Sequence, residues 1–466
     1  MKKYSFALLM LLTLNGCGTW LKSDYQRPMV SVPPAWRVQD SGVTWLKNTP
    51  HWWDNFNDPL LSNTLSRVLI SNNDLAKASL QLKRARIEAG LTNTNLTPDV
   101  TVGSSASNSR NLNQDTTPVE NYGASLALSY ELDLWGKLAR TREQSEWLAN
   151  ATEQDRQNTA LTLIGTTAEL YWQIANLNQQ IANQQEGIAI SQETLRLVQA
   201  RFDAGSVGRM DLLQSQQSLL NRQNQYTEMQ RQREKARNAF ALLFNRSPLD
   251  RQPERAALDT RQDVAVAQSL PLEVIARRPD VQGAEWRLRA SLAGSDVARL
   301  SFYPTLSLSA TLSAGSAIFQ QWFSNPASTL GSAVALPFIQ WNTVQLTVAK
   351  SDIDVQQAAI DFRSTIYTAL ADVDNAQSQR LSYQQQRQNQ KQDLQFSQQR
   401  LKLAEIQYRS GAIPFQTLLD AQDSLLSSET NLSNLQYNYL NATMKLWLAM
   451  GGGVANDYHE KGLHDE

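Results

Sequence analysis

The sequence predicts a mixed α and β membrane protein in which each chain gives four strands to a barrel shared with other chains and continues into long helices. Three observations predict this class: an internal repeat at an offset of 206 residues, a hydrophobic period that switches between helix and strand within each repeat, and helical text that is unusually long and polar.

The repeat is read from paired residues. Asp74-Leu75 matches Asp280-Val281, Leu82 matches Leu288, Pro98 matches Pro304, and Trp135 matches Trp341; Gly205 matches Gly411, Leu212-Leu213 match Leu418-Leu419, and Gln216 matches Gln422, every pair 206 apart. Between Trp135 and Gly205 the best match slips by about three residues, Glu169 against Asp372, and then recovers. Two similar halves, roughly 60–245 and 266–451, therefore build one intertwined structure.

Strand text sits inside each half. Val100 and Val102 alternate with Thr101 and Gly103, and Tyr122, Ala124, Leu126, Leu128 and Tyr130 alternate with Gly123, Ser125, Ala127, Ser129 and Glu131. The second half repeats the pattern with Leu306, Leu308, Ala310 and Leu312 against Ser307, Ser309, Thr311 and Ser313, followed after a loop by Val334, Leu336 and Phe338. One face is apolar and the other small or hydroxylated, as in a barrel with lipid outside and water inside. A soluble sandwich would show the same alternation. Trp135 and Trp341 stand where strand text becomes helix text, the place expected for rings at a membrane–water boundary. Four strands cannot close around a lumen, and lipid does not tolerate open edges, so several chains must share one barrel.

The helical text covers about Lys137 to Phe202, Met210 to Phe244, Asn342 to Tyr408 and Phe415 to Met450. At 1.5 Å per residue the longer pieces reach on the order of 90 Å. They are rich in Gln, Asn, Ser and Ala, as in Tyr383-Gln384-Gln385-Gln386-Arg387-Gln388, with a narrow apolar stripe such as Leu161, Ile164, Ala168, Tyr171 and Ala175. A long coiled coil fits the helices alone; joined to strands, they read as the wall of a tube that is wet on both faces. Asp74 and Asp280 precede apolar helical runs and read as N-caps, with Pro279 in the loop before the second. Gly205 and Gly411 fit tight turns between antiparallel helices.

The remaining composition excludes other classes. Lys plus Arg number 43 against 44 Asp plus Glu, a net charge of −1 with no basic run, so nucleic acid is a poor partner. One Cys rules out an intrachain disulfide, and His51, His459 and His464 are too scattered for a metal site. Neither a nucleophile elbow nor a glycine-rich phosphate loop is present, so neither an enzyme nor a cofactor is expected. Residues 452–466, which hold His459 and His464, read as a polar tail.

At the start, Lys2 and Lys3 precede an uncharged stretch from Tyr4 to Leu14 that is too short to span a bilayer, so residues 1–16 read as a signal peptide. Leu14-Asn15-Gly16-Cys17 resembles a bacterial lipobox, and the chain's one Cys occupies the position that takes the lipid. Cys17 then becomes the mature N-terminus, with several acyl chains giving stable anchoring at roughly 0.8 kcal/mol per buried methylene, and residues 17–59 form a lipidated N-terminal segment. Gly18 at the next position, where an Asp would retain the lipoprotein elsewhere, favours transport to the outer membrane.

With these elements in place the chain resembles the TolC/OprM-like outer membrane factors of tripartite efflux systems, in their lipoprotein branch. The resemblance rests on Cys17, Trp52-Trp53, Asp58-Pro59-Leu60-Leu61, Glu131-Leu132-Asp133-Leu134-Trp135-Gly136-Lys137, Arg277-Arg278-Pro279-Asp280-Val281, Tyr303-Pro304 and Leu418-Leu419-Asp420-Ala421-Gln422, and it covers nearly the whole mature chain. It implies a homotrimer with a 12-stranded outer-membrane β-barrel, four strands per chain, continued by a long periplasmic α-helical barrel. It implies as partners a periplasmic adaptor (membrane fusion) protein and an inner-membrane transporter, expected to be of the RND type. Drugs, dyes and other toxic organic compounds are the implied cargo, and metal ions fit less well because the chain has few His and Met ligands.

The resemblance also assigns sites. Gly205-Ser206-Val207 and Gly411-Ala412-Ile413 lie at the end opposite the strands and are expected to be the periplasmic tips that meet the adaptor. Asp420 matches the aspartate that lines the family's periplasmic aperture, Asp423 lies one turn further on the same face, and Asp211 is the nearby acid of the first half, where Gln214 and Gln217 occupy the matching positions. Two other readings remain: a permanently open porin without a gated tip, and a structural lipoprotein that holds two membranes apart.

Overall fold

The structure is a computed structural model that describes residues 21–36, 51–110, 117–259, 263–264, 266, 271–321, 323 and 325–452. The expected signal peptide, Cys17 and the tail beyond 452 lie outside these residues.

The first half runs from a 3-10 turn at Trp52–Phe56 through α1 (Pro59–Ser71), α2 (Asn73–Asn93), β1 (Asp99–Ser109), β2 (Val119–Leu132), α3 (Lys137–Asp203) and α4 (Arg209–Leu243). The second half repeats it as α5 (Pro271–Arg277), α6 (Pro279–Leu300), β3 (Thr305–Ser316), β4 (Pro326–Ala335), α7 (Trp341–Arg409) and α8 (Phe415–Ala449). Strand β2 has 14 residues against 10 in β4, and α7 has 69 against 67 in α3 because it begins at Trp341, the repeat equivalent of Trp135, two residues before α3 begins. Strand β4 stops at Ala335: Leu336 and Phe338, expected to continue it, lead into a 3-10 turn because Pro337 lacks the N–H a ladder needs.

Two helix starts differ from the sequence reading. The cap of α2 is Asn72, whose extended backbone lets its side-chain oxygen accept the N–H groups of Asp74 (2.9 Å) and Leu75 (3.2 Å), so Asp74 is a first-turn residue. Pro279 is the first residue of α6, where its missing N–H costs nothing, and Asp280 follows inside the helix. There Asp280 takes two hydrogen bonds from Arg278, at 3.0 and 2.7 Å.

The chain divides into two compact units that cut across the repeats. The first takes residues 1–30, 80–154 and 282–365 and holds the sheet. Its order is β1-β2-β3-β4, antiparallel throughout, which leaves β1 and β4 as edges. Register sorts the side chains by face. Val100, Leu128, Ala310 and Leu330 form one cross-strand row, and Leu132, Leu306 and Val334 form another on the same face. Thr101, Ala127, Thr311 and Thr329 form a row on the opposite face, as do Gly103, Ser125, Ser313 and Ala327. The apolar face is bare: Val102 is 82% exposed and Leu330 87%.

Below the sheet the helices of this unit are joined in the order α2, α3, α6, α7. Arg86 pairs with Glu153 at 3.0 Å, Arg140 with the fully buried Asp296, and Ser295 donates to Asp352 at 2.9 Å. Asp296 also accepts the backbone N–H (3.1 Å) and hydroxyl (2.6 Å) of Ser23, which fastens the segment around Ser23 to α6. Lys22 reinforces this with Glu143 at 2.8 Å.

The second unit takes residues 31–79, 155–281 and 366–466 and has a continuous apolar core. Trp52 and Trp53 are its largest buried side chains, and Trp52 stacks on Trp447 of α8 at 5.4 Å. Asp58 caps α1 through Leu61 N–H and accepts the Tyr171 hydroxyl (3.0 Å) and Arg255 (3.1 Å), which explains an acid at that buried position. Burial and the Asp58 charge push the Tyr171 hydroxyl far above its usual range. Gly165 of α3 leaves room for the Leu448 side chain of α8, whose Cδ1 would lie 2.6 Å from a Cβ there. Among the described residues no helix is long and apolar enough to cross a membrane.

Candidate functional site at the hairpin tips

The α3–α4 and α7–α8 connections turn in the same way. Gly205 has φ +70° and Gly411 φ +76°, a left-handed backbone that glycine adopts without a Cβ penalty. In the first turn Gly205 N–H donates to Phe202 (2.9 Å) and Ser206 N–H to Arg201 (2.8 Å); in the second, Gly411 N–H donates to Tyr408 (3.0 Å) and Ala412 N–H to Gln407 (2.8 Å). No atom lies within 4 Å of a Cβ at either glycine, so conformation rather than crowding demands them. Gly205, Ser206, Gly411 and Ala412 are exposed, while Val207 and Ile413 pack on a small core of Val198, Leu401, Ala404, Tyr408, Phe415 and Leu418.

One arginine links the two tips. Arg201 donates to the carbonyls of Tyr408 (3.1 Å) and Arg409 (2.7 Å) at the end of α7, where a cation is favoured, and lies 4.7 Å over the Tyr408 ring. Burial raises the Tyr408 hydroxyl pKa, Arg201 opposes the rise, and the charge of half-buried Asp211 adds to it. The sequence gives little warning of Arg201, whose repeat partner is Gln407.

In the second hairpin Leu418, Leu419, Ala421 and Gln422 are buried, with Gln422 donating to Thr194 at 3.0 Å. Asp420 and Asp423 are exposed, three apart and so on one side of α8. Their surroundings differ. Asp420 accepts a hydrogen bond from the neutral Gln416 amide at 2.7 Å. Asp423 accepts Arg222 Nη2 at 2.7 Å, and the Arg222 side chain is only 5% exposed. Burial lowers the Arg222 pKa, and Asp423 opposes that drop. Gly187 of α3 leaves the room Arg222 occupies, since a Cβ there would lie 3.0 Å from its Nη1. Beside this pair runs a groove of about 650 Å³ lined by Gln184, Gln214, Gln217, Gln225 and Gln416. The sequence reading placed Asp423 beside Asp420 without its partner on α4.

The other expected residues are scattered. Trp135 is half-buried and donates its indole N–H to the Pro304 carbonyl (2.7 Å), with its ring 5.3 Å from that of Tyr303, so it ties the start of α3 to the start of β3. Trp341 is 63% exposed. Cys17 lies outside the described residues. No group of three or more metal-ligating side chains occurs among the described residues.

The two hairpins and the four-stranded sheet together are the architecture of a known class. The outer membrane efflux protein family matches residues 64–246 and 270–452, and the chain belongs to that family. It is 30% identical over 439 residues to the pyoverdine export outer membrane protein OpmQ of Pseudomonas putida, covering 92% of this chain and 93% of the relative. It is 28% identical over 448 residues to the cation efflux system protein CusC of Escherichia coli, covering 95% and 97%. The open-state crystal structure of the Neisseria gonorrhoeae MtrE outer membrane channel superposes with a TM-score of 0.83 at 25% identity, covering 93% of this chain and 98% of that one. The fold is thus that of an outer membrane efflux channel, a transport protein and not an enzyme.

Proposed function

We propose that three copies of this chain close a 12-stranded barrel in the outer membrane and conduct toxic organic compounds passively from an inner-membrane transporter, coupled through a periplasmic adaptor. The observation that carries this reading is the four-stranded sheet, whose two edges are unpaired and whose apolar face is exposed on an isolated chain. Such a sheet is stable in lipid only when its edges are closed by further strands. The hydroxyl-bearing face then lines water, and the long helices extend the duct. The exposed turns Gly205-Ser206 and Gly411-Ala412 are the adaptor contacts, Asp420 is the charged ring of the aperture, and Cys17 carries the lipid.

The transporter is expected to be of the RND type. Relatives named for pyoverdine export and for cation efflux span different cargo, so in this reading the pump does most of the selecting. The test has two parts. The purified protein in mild detergent is expected to be a trimer that conducts ions in a planar bilayer with a strongly restricted conductance, whereas a permanently large conductance would favour the open porin. Metabolic labelling with a palmitate analogue is expected for the wild type and lost in Cys17→Ser; equal labelling would remove the lipid anchor.

A further inference from the structure

The second unit gathers its buried apolar side chains into two separate cores, and the stretch between them is held by polar groups. On α3 the larger core reaches Leu177, and the smaller one at the tips begins at Leu197 and Val198. About 30 Å of helix lies between them at 1.5 Å per residue. Past Ile181 the buried positions there are Gln184, Gly187, Ser191 and Thr194, a 3-4-3 spacing that is the seam of a coiled coil without an apolar side chain in it. On α7 the buried positions between Ala376 and Leu401 are Gln377, Arg380, Arg387 and Ser397. Neutral hydrogen bonds exchange readily for bonds to water, whereas apolar burial does not, so this stretch is the least costly part of the seam to open.

Three contacts set the register of α3 against α8. Gln422 donates to Thr194 at 3.0 Å, Leu426 lies 3.7 Å from where a Cβ on Gly187 would stand, and Asn434 accepts both Gln180 (2.7 Å) and Asn176 (2.9 Å). The order is antiparallel, and between the second contact and the third it brings Glu186 opposite Glu429. Burial, and then the Glu186 charge, raises the pKa of half-buried Glu429. The other charges on the packed helices are engaged elsewhere. Arg222 of α4, which reaches Gly187, is held by Asp423 at 2.7 Å, and Asp393 of α7 accepts the Ser428 hydroxyl at 2.6 Å and the Gln390 amide at 2.9 Å. The repeat partner of Glu429 is Gln223, so the fold does not demand an acid there.

We infer that Glu186 and Glu429 make this stretch of the α3–α8 seam a proton-operated joint, closed in acid when Glu429 donates to the Glu186 carboxylate and loosened at neutral pH when the two charges repel. A group that holds its proton more tightly in the closed seam loses that contribution as pH rises through its closed-state value, which fixes the direction. The tip core is carried beyond the joint, so the acidity of the medium sets how stiffly the turns at Gly205 and Gly411 are held. The joint belongs to a single chain, and only its effect on conductance rests on the channel reading above.

Hydrogen exchange followed by mass spectrometry tests the joint on the full protein in mild detergent. Wild type, Glu429→Gln and Glu186→Gln are compared at the same pH, so that intrinsic exchange rates cancel. At neutral pH both variants are expected to protect peptides covering residues 424–434 by about two- to fivefold more than the wild type, and in acid the three are expected to coincide. The double variant is expected to gain no more than either single one, because each removes the same repulsion. If one variant fails to fold, the other reads the same pair. Equal protection at neutral pH, or a gain that persists unchanged in acid, would overturn the joint. Single-channel recordings separate this from the channel reading: a pH-dependent gain in a protein with a permanently large conductance would uphold the joint and remove the gated channel instead.

Discussion

At the tips of the two hairpins Gly205 and Gly411 take the same left-handed turn, yet within the first three turns of the returning helix the first hairpin carries Gln214 and Gln217 where the second carries Asp420 and Asp423. The turn is a demand of the backbone, met identically in both halves because two antiparallel helices must be joined in few residues. The charges are not such a demand, since the first half folds with neutral amides in their place. Within the second hairpin the acids divide again: Asp423 compensates a buried arginine, and Asp420 has only an amide partner among the described contacts. Structure therefore explains Asp423, whereas for Asp420 the described contacts give a single neutral partner, Gln416.

The largest expected effect tests that division. Asp423→Ala takes the partner from buried Arg222 and is expected to destabilise the protein by about 1.5–3 kcal/mol in denaturant unfolding, the usual loss for a hydrogen bond to a charged group. Gln217→Ala at the matching position is expected to stay within about 0.5 kcal/mol. Equal losses would break the comparison.

Gly205→Ala and Gly411→Ala should each cost about 1–2 kcal/mol, the penalty of a left-handed backbone bearing a Cβ, and cost the same in both hairpins. Thermal melting of the two variants checks this. A large difference would mean that one tip carries strain the other lacks.

A smaller effect concerns Glu429 of α8, whose repeat partner is Gln223. Burial and then the Glu186 charge raise its pKa, so the folded state holds this proton more tightly than the unfolded one. Its favourable contribution is complete below the ordinary carboxylate range and is lost as pH rises through the folded value. Glu429→Gln should therefore stabilise the protein at neutral pH, by less than about 1 kcal/mol because the site is partly screened by solvent. The gain should vanish in acid. A gain that persists unchanged at low pH would assign it to packing.

The smallest change in stability is expected for Asp420→Ala, within about 0.5 kcal/mol, together with a raised single-channel conductance and weaker cation selectivity or divalent-cation block. Bilayer recordings that match the wild type in all three would take Asp420 out of the aperture.

Local signals made much of this legible. The repeat, the switch of period and the turn glycines place β2, β3 and the four longest helices to within a few residues, because each depends on neighbours close in sequence, whereas the alternation read at Val334, Leu336 and Phe338 reaches only the end of β4. What the sequence hid depends on distant partners. Asp296 reads as one more helical acid until Ser23, 273 residues away, is found on it, and Asp423 looks like Asp420 until Arg222 is seen behind it. The two tryptophans at 52 and 53 read as a motif and prove to be core, because their partner Trp447 lies near the other end of the chain. Asn72 displaced Asp74 as a cap for a local reason: it is the residue with the extended backbone that a cap needs.

The β2–β3 ladder has a consequence for how the chain comes to be folded. Strands β1 and β2 can pair as soon as the first half exists, and β3 with β4 once the second does, but the central ladder joins Leu132 to Leu306, which are 174 positions apart in the chain. Each two-stranded hairpin by itself is marginal in water, and closing so long a loop is slow compared with forming the helices around it. The sheet is then the last part to assemble and the first half must wait for the second. A chain with its helices formed and its strands unmatched would present unpaired strand edges, the feature that favours non-native association, until the central ladder closes.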